Sequence, residues 1–197
     1  MKKIAITGKI GSGKTTLSKI IKSLGYKVFE SDEIVKSLLK TDLVKKELIK
    51  NFSKKIKNLF RNDDEVNLKK LSDYVFSEKK ELEQLEKIIH PLIKKRKEVF
   101  LKKNCKDTLL FFDIPLLFEK KMHKNFDYII YAYVKSSIQK KRVLKRKNMN
   151  EKKLSNILKI QSHNCVDLQK FISLKIDTEN DRNLLKKKIK DFLQKTE

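Results

Sequence analysis

Compact apolar runs alternate along the chain with longer stretches in which apolar residues return every third or fourth position. Lys3-Ile4-Ala5-Ile6-Thr7 predicts a short buried strand, and Leu17, Ile20, Ile21 and Leu24 follow at helical spacing. Residues 26–30 predict a second strand, and Ile34, Val35, Leu38 and Leu39 a helix. Apolar residues then recur at helical spacing among lysines over residues 41–60. Residues 61–66 form a polar, acidic turn, and Leu68, Leu71, Val75 and Phe76 another amphipathic helix. A long helical pattern covers residues 81–101, with a stop or kink expected near His90-Pro91, because proline brings no N–H to the helix. Leu109 to Asp113 is an apolar run ending in a carboxylate, the pattern of a buried parallel strand. Residues 127–134 predict the next strand, 135–147 a basic helix, 150–160 a further helix, 171–176 the last strand and 183–193 a closing amphipathic helix.

Strands alternating with helices imply an α/β protein with a parallel sheet. Residues 41–104 hold no strand candidate and are too long for one crossover helix, so they read as a helical insertion. Residues 1–40 and 105–197 then form the core.

Glycine usage locates the chemistry. Of four glycines in the chain, Gly8, Gly11 and Gly13 lie within six residues, and Gly25 precedes the second strand. The run Gly8-Lys9-Ile10-Gly11-Ser12-Gly13-Lys14-Thr15 meets the pattern G-x-x-x-x-G-K-[ST] at every defined position, between a predicted strand and a predicted helix. In that setting backbone N–H groups and the helix N-terminus converge on a phosphate-binding hollow. Lys14 can reach β- and γ-phosphates, and the Thr15 hydroxyl can ligate Mg²⁺. A P-loop NTPase-type sheet flanked by helices is therefore the expected fold.

Composition narrows the class. The chain has 197 residues, 39% of them hydrophobic and 38% charged, with 49 Lys+Arg against 25 Asp+Glu, a formal net charge of +24. The apolar runs fall short of the ~20 residues that span a bilayer. No secretory leader is expected before the first strand, and two cysteines, Cys105 and Cys165, make neither a disulfide framework nor a metal site. A cytoplasmic protein without membrane association is expected. Five of the basic residues are arginines (Arg61, Arg96, Arg142, Arg146 and Arg182), and the lysines are spread over nearly every segment. That distribution lacks the clustered, arginine-rich face of specific nucleic-acid binding, although the field attracts small polyanions.

Several residues beyond the loop carry candidate chemistry. Asp32 lies just past the second strand, and ligands gather at the carboxyl ends of parallel strands. Two readings fit it: a carboxylate that orients an attacking hydroxyl, or the cap of the following helix. Glu30 can share that role or simply end its strand. Asp113 has the place of a Walker-B carboxylate beside Thr15, or of a strand-end cap. Arg142 and Arg146, spaced i, i+4, share a helix face, which suits either a phosphotransferase lid over residues 140–150 or a solvated basic surface. Glu119 can touch substrate. His90, a lone histidine beside Pro91, reads as a hydrogen-bonded structural residue, and His123 and His163 have no partners at useful spacing.

Together these pieces resemble the dephospho-coenzyme A kinase family. Residues 7–16, T-G-K-I-G-S-G-K-T-T, look like the family's T-G-G-I-G-S-G-K-S/T-T. Gly25 and residues 26–32 resemble its L-G-x-x-V-x-D-A-D, and His90-Pro91-Leu92-Ile93 its H-P-x-I. Asp113-Ile114-Pro115-Leu116-Leu117-Phe118-Glu119 matches D-x-P-L-L-F-E, residues 139–146 resemble Q-x-x-R-x-x-x-R, and residues 157–161 I-x-x-x-Q. The resemblance implies ATP-dependent phosphorylation of the ribose 3′-hydroxyl of dephospho-CoA with Mg²⁺. It implies ATP contacts from Gly11, Ser12, Gly13, Lys14, Thr15 and Thr16, and a metal site at Thr15 and Asp113. It makes Asp32 the catalytic base, with Lys14, Arg142 and Arg146 stabilising charge, and puts Asp32, His90 and Glu119 on the substrate side. It also implies that the insertion binds the CoA substrate and that residues 140–150 form the lid. Lys9 stands for the second Gly of T-G-G, Glu30 for the first Asp of D-A-D, and Lys147 for an Asp after Arg146. Past Gln161 only the hydrophobic outline of the family pattern is kept.

Overall fold

A computed structural model describes residues 1–75, 77–147, 149–161 and 168–196. Phe76, His163 and Cys165, all considered above, lie outside these residues. The strands are β1 (Lys2–Thr7), β2 (Lys27–Glu30), β3 (Leu109–Asp113), β4 (Tyr128–Tyr133) and β5 (Leu174–Asp177). They make one parallel sheet in the order β2-β3-β1-β4-β5. With β1 central, Ile4 stands opposite Phe111 on one side and Tyr128 on the other. Residues 4–7 and 109–112 are buried throughout, the continuous apolar pattern of strands covered on both faces.

The chain divides into two compact units, Met1–Glu30 with Asn104–Glu197, and Ser31–Lys103. In the sheet unit, α1 (Lys14–Ser23) and α8 (Arg182–Gln194) pack on one face. Ile4, Ile6, Ile130, Ala132 and Ile176 of the strands meet Leu17, Ile20 and Ile21 of α1 and Leu185, Ile189 and Leu193 of α8. Asp181 caps α8, its carboxylate accepting from the N–H groups of Asn183 and Leu184. The Phe112 ring lies 5.9 Å from Phe29 and 5.4 Å from Phe126.

The second unit contains α2 (Ser31–Leu38), α3 (Asp42–Phe52), α4 (Leu68–Val75) and α5 (Lys79–Lys103). Val44, Leu48, Phe52, Leu71, Val75 and Ile89 form its core. The division falls at Ser31 rather than Thr41, because Ile34, Val35, Leu38 and Leu39 pack into this cluster. An isolated antiparallel bridge between Phe60 and Val66 closes the acidic turn. Of the stop or kink expected at Pro91, the stop does not occur, and α5 continues past it. Pro91 and Lys87, whose carbonyl loses its helical donor, both lie on the exposed side of α5, where water can serve that carbonyl.

Two further boundaries differ from the periodicity. The basic helix, α6 (Ser136–Leu144), ends before Arg146, and residues 169–171 form a 3-10 turn ahead of β5. The helix α7 (Glu151–Ile160) starts where expected, capped by Asn150, whose side chain accepts from the Lys153 N–H at 2.8 Å.

Candidate active site

The glycine loop joins the carboxyl end of β1 to α1 at the middle of the sheet. Its three glycines all have positive φ: +148° at Gly8, +75° at Gly11 and +89° at Gly13. None has room for a side chain. A Cβ on Gly8 would sit 2.2 Å from the Ala132 carbonyl oxygen, one on Gly11 2.6 Å from Val143, and one on Gly13 2.5 Å from the Thr178 hydroxyl. The sequence pattern therefore reflects both backbone conformation and close approach. Within the loop, the Ser12 N–H donates to the Lys9 carbonyl at 3.1 Å, and Lys14 Nζ donates to the Gly8 carbonyl at 2.9 Å. The first N–H groups of α1 have no carbonyl in their own helix, and the helix dipole adds to their pull on an anion.

Distant residues hold this loop. Gln139 of α6 donates through Nε2 to the Ile10 carbonyl at 2.7 Å. Gln161, which caps the C-terminus of α7, accepts from the Ile10 N–H through Oε1 at 2.8 Å. The buried Thr178, just past β5, donates through its hydroxyl to the Ser12 carbonyl at 2.7 Å. Arg142 in turn donates to the Thr178 hydroxyl at 2.9 Å and to its carbonyl at 3.0 Å. Thr178 was not singled out by the sequence pattern, and no local signal marks it. Gln139 and Gln161 appear there only as letters of the resemblance, without a role.

The sequence-derived candidates divide between the two units. Lys14 is half-buried, and Thr15 and Thr16 are exposed in the first turn of α1. Asp113 ends β3 opposite Ile6 of β1 and Glu30 of β2, and accepts from the buried Ser18 hydroxyl at 2.9 Å. Glu30 is ion-paired with Lys22 of α1. Arg142 and Arg146 do not share one helix face. Arg142 is half-buried in α6 and committed to Thr178, whereas Arg146 is exposed in the turn beyond the helix end. Glu119 lines a narrow hollow with Thr7, Gly8, Phe118 and Tyr131. In the helical unit, Asp32 is exposed in the first turn of α2, a helical position rather than the residue before the helix. His90 is exposed on α5, its Nε2 4.0 Å from Glu86 one turn away.

His123 lies between the Phe171 and Phe118 rings, at 4.5 and 5.7 Å. Its Nδ1 is buried without a hydrogen-bond partner among the described residues. Burial, reinforced by Lys124, holds its pKa below the usual 6.5. A roomier hollow of about 630 Å³ lies between α3 and α5, lined by Glu47, Asn51, Gln84 and Leu92 among others. It lacks the convergent backbone donors of the loop, so size does not make it the phosphate site.

A loop of this geometry, leading from the central strand of a parallel sheet into a helix, places the chain among the P-loop nucleotide-binding proteins. The dephospho-CoA kinase family model matches residues 2–172. A dephospho-CoA kinase from Fusobacterium nucleatum is 36% identical over 194 residues, covering 97% of this chain and 96% of that protein. The dephospho-CoA kinase structure from Campylobacter jejuni aligns with a TM-score of 0.66 at 25% identity, over 98% of this chain and 96% of that one. The structure of TT1252 from Thermus thermophilus shares the fold, with a TM-score of 0.78 at 22% identity over 98% and 97% of the two chains. The chain belongs to the dephospho-CoA kinase family. Among the described residues, no helix is long and apolar enough to cross a membrane.

Proposed function

We propose that the chain transfers the γ-phosphoryl group of ATP to the ribose 3′-hydroxyl of dephospho-CoA, giving CoA and ADP, the final step of CoA biosynthesis. The observation that carries this reading is the loop over residues 8–15, with three glycines at positive φ and its backbone tied to Gln139, Gln161 and Thr178, in a chain of this family. Gly11, Ser12, Gly13, Lys14, Thr15 and Thr16 bind the ATP phosphates. Lys14 leaves the Gly8 carbonyl to meet the β- and γ-phosphates. Asp32 orients the 3′-hydroxyl and takes its proton as the oxygen attacks the γ-phosphorus. The bond from that phosphorus to the β–γ bridging oxygen breaks, and ADP leaves.

Lys14, Arg142 and the exposed Arg146 offset charge on the transferring group, with residues 140–150 acting as a lid that excludes water. His90 and Glu119 contact the acceptor, and the helical segment 41–104 binds the CoA portion. Mg²⁺ would be held by the Thr15 hydroxyl and the Asp113 carboxylate. One hydroxyl and one carboxylate form a sparse oxygen set that suits Mg²⁺, which takes its other ligands from phosphates and water. When bound, it neutralises charge between the β- and γ-phosphates. The surplus of basic residues favours capture of both polyanionic substrates.

The test is a coupled ADP-release assay with ATP, Mg²⁺ and dephospho-CoA, run beside AMP, GMP and adenosine as acceptors. Turnover confined to dephospho-CoA supports the reading. Turnover only with another acceptor overturns the substrate assignment and leaves the loop argument standing. Steeply salt-dependent, tight oligonucleotide binding without turnover favours a nucleic-acid protein instead.

A further inference from the structure

The Ile10 peptide groups are held by two side-chain amides from opposite ends of the α6–α7 segment, 129 and 151 residues away in the chain. Gln139 and Gln161 are 9% and 7% exposed, so each is a polar side chain taken out of water. A trans peptide plane points its C=O and N–H in opposite directions. Holding the Ile10 carbonyl on Gln139 therefore turns the Gly11 N–H of the same plane away from α6. Holding the Ile10 N–H on Gln161 likewise turns the Lys9 carbonyl the other way, where it accepts the Ser12 N–H at 3.1 Å. Val143, one turn after Gln139, fills the space beside Gly11.

We infer that Gln139 and Gln161 are positioning residues for phosphoryl transfer, each setting one peptide plane of the loop, with Gln139 presenting the Gly11 N–H to the ATP phosphates. The inference rests on the reading of residues 8–15 as the ATP site. The two roles are chemically opposite, since Gln139 acts as a donor and Gln161 as an acceptor. A glutamate keeps the acceptor and loses the donor, so matched substitutions separate the roles from mere packing.

ATP binding is measured by calorimetry for the wild type, Gln139→Glu and Gln161→Glu, with KM and kcat from the coupled assay. Gln139→Glu sets a carboxylate against the Ile10 carbonyl, and ATP affinity falls about tenfold or more, the order expected when a buried group loses its partner. KM for ATP rises with it, while KM for the acceptor stays put. Gln161→Glu still accepts the Ile10 N–H and keeps affinity within about threefold, because the hydrogen bond survives. Equal losses in the two variants, or wild-type affinity in Gln139→Glu, overturn the inference. A wild type that binds no ATP overturns the reading of the loop and this inference together.

Should a buried carboxylate impair folding, the uncharged pair Gln139→Met and Gln161→Met takes its place. Hydrogen exchange at the Ile10 amide then accelerates about tenfold or more in Gln161→Met and little in Gln139→Met. The same exchange rate in both variants also overturns it.

Discussion

The phosphate loop and the candidate residues of the helical unit are held by different kinds of contact. In the sheet unit, the backbone of Ile10 and Ser12 is bonded to Gln139, Gln161 and Thr178, all more than a hundred residues along the chain. In the helical unit, Asp32 sits exposed in the first turn of α2, and the carboxylate nearest His90, that of Glu86, is one turn away on the same helix. The first arrangement is tied down by side chains distant in the sequence. In the second, the two residues proposed to serve the acceptor are exposed, so on that proposal their loss lowers activity with little effect on stability. A P-loop kinase needs rigid donors for charge that is already on ATP and an accessible base for a hydroxyl that must be placed.

Substitutions in the two units test this contrast. The largest effect is expected at Asp32. Asp32→Asn removes the base and lowers kcat by about 10²–10⁴-fold, while unfolding changes by no more than about 1 kcal/mol, the worth of one carboxylate at a helix start. Steady-state kinetics beside a denaturant titration checks both halves, and a kcat within tenfold of wild type removes Asp32 from the mechanism.

Gly8→Ala comes next, with the opposite signature. Backbone strain alone costs about 1–3 kcal/mol, and the added Cβ would lie 2.2 Å from the Ala132 carbonyl oxygen. Thermal stability and ATP affinity fall together. Gly25→Ala is the control, because its φ is +95° but nothing lies within 4 Å of the new Cβ. If the two alanines destabilise alike, close packing of the loop is not what constrains it.

Thr178→Val keeps the shape of the side chain and removes its hydroxyl. The Ser12 carbonyl loses its donor and Arg142 an acceptor, a change of about 1–3 kcal/mol read as weaker ATP binding with an unchanged KM for the acceptor. Thr178→Ser restores most of it. A valine variant with wild-type ATP affinity would show that the third tie on the loop carries no load.

The smallest effect concerns pH. His123 is held below its usual pKa of 6.5 in the folded chain, so the unfolded chain binds the proton first as pH drops. The stability contributed by a neutral His123 is complete above pH 6.5 and declines from there toward the depressed folded value. Denaturant melts between pH 7 and pH 5 show a shallower loss in His123→Phe than in wild type. Parallel curves for the two proteins rule out His123 as a contributor.

Local patterns and distant contacts were legible in the sequence to different degrees. The strands β1, β3 and β4, the loop glycines and the helix α7 rest on runs of neighbouring residues, and each was placed to within a residue or two. Pro91 reads in the sequence as a stop or kink, and only the exposure of the carbonyl it strands shows why the helix does not stop there. The end of α6 was misjudged because the basic pattern continues past Leu144, although the helix does not. That shift moved Arg146 off the face of Arg142.

By itself, the sequence determined the alternation of strands and helices, the place of the phosphate loop, and the family. Those depend on periodicity and on glycines that no other residue can replace, which are properties of contiguous chain. Only the tertiary structure decided that Gln139, Gln161 and Thr178 hold the loop, that Ser18 holds Asp113 and that α2 packs with the helical unit. The contacts to the loop and to Asp113 arise when the parallel sheet brings segments distant in the chain to the carboxyl ends of its strands, and α2 joins the helical unit through its apolar side chains. A buried glutamine or threonine looks the same in the sequence whether it faces solvent or a loop carbonyl.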